Sequence, residues 1–227
     1  MDPDKKTATV AGVLFIVATV ASLVDAALLN PVVDAHDYLA KLSANETRAI
    51  GGALFSLIAA FASAGIAIAL YRIVRRHSEG LALGSVAFRL IEGALYVVGA
   101  LSILSLLTVS RGPLDPSALA SGRVLLALRD WAQLFGVMAF YVGGSMYYLV
   151  FYRSRLIPRW LSGWGLVGVA LGMAAALIVM FRTPITHMPT IQVVLNIPIG
   201  VQELVLAVWL LVKGFEAEGT TTPRSTP

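Results

Sequence analysis

Six ionisable residues of this 227-residue chain fall inside long apolar stretches: Asp25, Arg89, Glu92, Arg129, Asp130 and Glu203. A charged side chain at the centre of a membrane helix costs ~2.5–3.5 kcal/mol on insertion scales, so such groups pair or face a cavity. Arg89 and Glu92 stand three residues apart and can pair on one helical face. Arg129 and Asp130 are adjacent, project about 100° apart, and are expected to satisfy different partners. Glu203 follows Gln202, with Asn196 and Pro198 a turn or two earlier. Carboxylates so placed serve as polar anchors or protonation sites, with Arg89 and Arg129 as counter-charges.

Other chemistry is poorly represented. There is no Cys, which excludes thiolate metal sites and thiol redox chemistry. Neither HExxH, GxSxG, a Walker loop nor a dinucleotide fingerprint occurs. His36 and Asp37, in the sequence DAHD, together with a distant His187, make only a weak metal set. No cofactor is expected. Catalytic residues are not identified, and the balance leans away from an enzyme.

The elements that must carry these residues are membrane helices. The chain is 58% hydrophobic and 13% charged, against about a quarter charged in soluble domains. A bilayer core of ~30 Å needs about 20 mostly apolar residues per helix. Six segments qualify, at about 7–29, 49–71, 81–109, 122–151, 160–181 and 191–213. The fold expected is an all-α integral membrane protein, one domain over residues 1–215, with a disordered cytoplasmic tail at 216–227. The third and fourth spans exceed a perpendicular crossing, so they tilt or project.

Lys and Arg set the orientation. With the N-terminus inside, inner flanks collect ten and outer connections five, so both termini are expected in the cytoplasm. The first span is read as a retained anchor, since its apolar run outlasts a signal-peptide core. The net charge of +4 is then accounted for by membrane flanks, and nucleic acid is not an expected partner. After an Asn30-Pro31 break, the first outer connection holds a short amphipathic helix near Tyr38–Leu42, and Ser43, Asn45 or Thr47 is expected to cap the second span.

Small residues supply helix packing, because lipid gives no hydrophobic drive between helices. Gly168 and Gly172 form a GxxxG that serves packing within the bundle or a homodimer seam. Pro198 is expected to kink the last span and act as a hinge. At ~1.5 Å per residue, Glu203 falls near mid-membrane and Asp25, Arg129 and Asp130 in the outer half. Two arrangements remain for the Arg pairs: a buried cluster with Glu203, or interfacial pairs with snorkelling Arg side chains.

The stretches YRIVRRHSEGLALGSVAFRLIEGAL (71–95), LALRDWAQLFG (126–136), YRSRLIPRWLSGWGLVG (152–168) and PIGVQELVLAVWLLVKGF (198–215) resemble a bacterial multi-pass family, domain of unknown function 4386. The resemblance spans about residues 5–215. It implies a six-to-seven-span protein of the bacterial inner membrane and brings no activity. The expected role is binding or translocating a small or lipid-like molecule among membrane lipids. The alternatives are an intramembrane lipid-modifying enzyme using paired carboxylates, and a non-catalytic structural or regulatory membrane partner.

Overall fold

The computed structural model describes residues 2–182 and 190–216, apart from the side chains of residues 182, 190, 191 and 193. The expected disordered tail lies mostly outside the described residues, which reach Glu216. The described residues form seven helices: α1 (Pro3–Val33), α2 (Tyr38–Ala44), α3 (Glu46–Arg75), α4 (Glu79–Ser110), α5 (Pro116–Ser154), α6 (Arg159–Arg182) and α7 (Thr190–Val212). All but α2 are long and apolar enough to cross a membrane. A spanning helix satisfies its own backbone in lipid, which is why the apolar segments take this form.

The helix ends follow local chemistry. Asp115 accepts from the Ala118 N–H at 2.7 Å, with Pro116 in the first turn. That cap starts α5 six residues before the apolar run at 122, giving a 39-residue helix, ~58 Å long, that must project from the bilayer or tilt. Ser78 caps α4 through the Leu81 N–H at 3.4 Å. Asn45 is the residue before α3, yet its side chain turns back to the Lys41 carbonyl at 2.9 Å instead of capping.

One expected break is absent. α1 runs through Asn30-Pro31 to Val33. Proline is tolerated here because only the last turn follows it, and its missing N–H costs one bond. The continuation buries Leu29, Val32 and Val33 beside Leu39 and Leu42 of α2.

The six long helices form a closed ring. α1 packs on α3, then α3 on α4, α4 on α5, α5 on α6 and α6 on α7, and α7 returns to α1. The start of α1, the α3–α4 turn and the α5–α6 turn share the basic end, where Arg76 grips Asp4 at 2.5 and 2.7 Å. At the far end α2 lies against α1, α3 and α4, and Arg111 binds Glu46 at 2.7 and 2.9 Å. Those bonds, donated to the Glu46 carboxylate, raise the Arg111 pKa above its ordinary value.

Ring closure requires a glycine. A Cβ on Gly12 of α1 would stand 2.9 Å from the Ala207 carbonyl of α7, so the two backbones meet there as small residues permit. Gly168 and Gly172 serve the same purpose inside the chain, against Ile199 of α7 and the Tyr141 ring of α5.

Candidate functional site

Arg89 occupies the middle of the ring. Ser85, Arg89, Glu92 and Tyr96 recur at four- and three-residue spacing along α4, which puts them on one face, and that face turns inward. Arg89 is 2% exposed. A guanidinium so buried has to be compensated by opposite charge and hydrogen bonds.

Four helices supply the compensation. One terminal nitrogen, Nη1, donates to Ser63 Oγ of α3 at 2.9 Å and to Glu92 Oε2 of α4 at 3.0 Å. The other, Nη2, donates to the Tyr147 hydroxyl of α5 at 3.0 Å and reaches Glu203 Oε1 of α7 at 3.5 Å. The Phe140 ring covers the guanidinium face, 4.5 Å from its carbon, within the range of a cation–π contact. Two carboxylates thus meet one guanidinium.

A cavity of ≈ 200 Å³ adjoins this cluster. Arg89, Glu92 and Glu203 line it, with Thr19 and Ser22 of α1, Tyr96 of α4, Tyr141 of α5, and Asn196 and Gly200 of α7. Glu203 is its most accessible acid, with its side chain 15% exposed against 4% for Glu92. A Cβ on Gly200 would meet nothing within 4 Å, so the backbone of α7 borders open space at that point. Asn196 also lines the cavity, its Oδ1 accepting from the Tyr141 hydroxyl and from Gln192 Nε2. Pro198 lies within α7 between these two cavity residues.

Gln202 points elsewhere. Fully buried, it accepts from the Tyr148 hydroxyl at 2.7 Å and donates to the Leu161 carbonyl at 3.1 Å. One residue along a helix is a 100° turn, enough to put Gln202 in the α5–α6–α7 seam and Glu203 in the cavity.

The remaining acids and Arg129 gather nearer the far end. Arg129 and Asp130 are buried on α5, and Arg129 Nη1 donates to Asp130 Oδ1 at 3.1 Å. The expectation that these neighbours look to separate partners is corrected on this point, because the long Arg side chain curls back across the 100° between them. Asp25 of α1 is buried beside Ser56 of α3 and feels the charge of Arg129. Asp25 Oδ1 and Arg129 Nε have no hydrogen-bond partner. Both Arg residues are buried inside the bundle, Arg89 together with Glu203 and Arg129 in a separate pair with Asp130.

The weak metal set does not come together in what is described. His36 and Asp37 are exposed, Asp37 lies 3.7 Å from Lys41, and His187 lies outside the described residues. Among the described residues no three His, Asp or Glu side chains stand close enough to share an ion.

Sequence reasoning missed the hydroxyl-bearing lining and scaffold: Thr19, Ser22, Ser63, Tyr96, Tyr141 and Tyr147. Hydroxyls are common in membrane helices and carry no signal alone. The usable signal is register, since Tyr96 is four residues after Glu92 and Ser63 is buried on the small-residue face of α3.

The sequence profile of the family described as domain of unknown function DUF4386 matches residues 10–214. No curated protein and no solved structure matches the chain.

Proposed function

The chain belongs to the DUF4386 family, whose description names no activity, and we propose that this member binds, and translocates, a small or lipid-like molecule in its mid-bundle cavity. The observation carrying this reading is Glu203: a carboxylate open to a cavity, in a layer where an unengaged charge is expensive. Glu203 is the ligand anchor. Arg89, itself fixed by Glu92, holds it in place, and Pro198, between Asn196 and Gly200, provides the flexible point of the wall. The excess of Lys and Arg at the basic end supports a cytoplasmic-membrane protein with that end inside.

The lipid-modifying enzyme reading is the weaker one. Glu92 is closed in its 3.0 Å pair with Arg89 and Glu203 is the more accessible acid, whereas paired acid–base work needs two carboxylates within reach of the substrate.

Filling the cavity tests the proposal. Gly200→Leu extends a side chain where a Cβ meets nothing, so the fold should tolerate it. Wild-type protein, incubated with a bacterial membrane extract and examined by native mass spectrometry, should retain a small-molecule adduct. Gly200→Leu should lose it with an unchanged unfolding temperature. No adduct on the wild type, or equal retention by the variant, overturns the proposal.

A further inference from the structure

We propose that the ligand of this cavity is an organic ammonium ion, its charge resting on Glu203 and its apolar part leaving between α1 and α7. This rests on the cavity-binding reading above and specifies the class of molecule.

Charge comes first. The layer holds Arg89 against Glu92 and Glu203, one carboxylate more than it has guanidinium. The cation is closed to a ligand: Nη1 serves Ser63 and Glu92, Nη2 serves Tyr147 and Glu203, Phe140 covers the face, and Nε, which has no partner, is buried. Glu92 is nearly closed off as well. What the cavity exposes is Glu203, whose hydrogen-bonding contact among the described residues is a long one to Arg89 at 3.5 Å. A buried carboxylate left over in low dielectric is neutralised by a proton or by a positive partner, and an ammonium ligand supplies the latter.

The rest of the lining selects among cations. A hard divalent ion such as calcium or magnesium wants six or more oxygen ligands, and the walls here include Ile66, Val137, Ile199 and the Tyr96 and Tyr141 rings. Ring faces and aliphatic side chains beside one exposed carboxylate suit an alkylammonium, which carries its own hydrocarbon and interacts with ring faces, and the Thr19 and Ser22 hydroxyls of the lining can accept from its N–H groups. At ≈ 200 Å³ the space is below the ~300–1,000 Å³ of pockets that enclose drug-sized ligands. It fits the charged head of a longer molecule.

The tail has a way out. α1 and α7 touch at Gly12 on the basic side of the cavity. Beyond it, Asn196 makes its bond to Tyr141 of α5, and Ile199 packs on Gly168 of α6. On α1, the lining residues Ser22 and Leu23 are exposed, Leu23 by 64%. The cavity therefore borders the hydrocarbon zone between these two helices, where an alkyl tail is soluble.

The test uses the full chain in maltoside detergent and two probes, n-hexylammonium and its neutral isostere 1-hexanol, titrated by calorimetry with sodium chloride as a third arm. Hexylammonium should bind saturably and at least tenfold tighter than hexanol. Glu203→Gln should lose that preference while unfolding at the wild-type temperature, and Gly200→Leu should bind neither probe. Equal binding of both probes to the wild type, abolished by Gly200→Leu, overturns the ammonium assignment and leaves the cavity reading standing. Displacement of hexylammonium by sodium at equal concentration also overturns the assignment, in favour of an inorganic cation site. Absence of any binding sensitive to Gly200→Leu overturns both.

Discussion

Two layers of this bundle have the same charged inventory and different surroundings. The middle layer sets Arg89 against Glu92 and Glu203, and the layer nearer the far end sets Arg129 against Asp130 and Asp25. In the middle, Arg89 reaches side chains on four helices and a ring face covers it. In the other, Arg129 bonds its own neighbour in sequence and Asp25 Oδ1 goes without a partner, while the Nε of each guanidinium is buried and unbonded. Cavity access differs too, because Glu203 and Glu92 line the space and Asp25, Arg129 and Asp130 do not. Equal charges therefore have unequal roles: Arg89 joins the ring together across its centre, whereas Arg129 is a local feature of α5.

The largest expected effect follows from that contrast. Arg89→Met leaves two buried carboxylates without a cation and should cost about 3–5 kcal/mol, read as a large fall in the unfolding temperature of the detergent-solubilised protein. Adding Glu92→Gln should recover part of it. Arg129→Met also leaves two buried acids, Asp130 and Asp25, without their cation, but it forfeits one charge-assisted bond rather than contacts to four helices, so a smaller loss of about 1–3 kcal/mol is expected by the same measurement. An equal loss from both variants would break the comparison.

Smaller effects sharpen it. Glu203→Gln keeps an acceptor for Arg89 and reduces the carboxylate excess, so its stability should change by less than about 1 kcal/mol while ligand binding falls. Asp25→Asn should leave binding to the cavity intact, and a loss of binding there would join the two layers into one site. The smallest change belongs to Glu46→Gln at the exposed Arg111 pair, where no shift in unfolding temperature is expected at moderate salt.

Much of the architecture was legible from one dimension. Lipid forces each apolar run of sufficient length into a helix, so composition and run length locate six spans without reference to neighbours. The helix ends were harder, because caps outside the apolar runs decide them: Asp115 moved the start of α5 well ahead of its hydrophobic segment. Asn30-Pro31 looked like a stop, but burial of Leu29, Val32 and Val33 against α2 carries α1 past it.

For the site, the sequence by itself determined which charges lie in the apolar spans and how far along each helix they stand. Rise along a helix is fixed per residue, so that distance can be counted. Only the tertiary structure decided which of them meet. Rotation about each helix axis and the choice of neighbours depend on packing between distant segments, such as the approach of α1 to α7 at Gly12. That packing turned Glu203 toward Arg89 and the cavity, and turned the adjacent Gln202 into a seam between α5 and α6. It also placed tyrosine and serine hydroxyls from separate helices around one guanidinium, an arrangement no local spacing encodes.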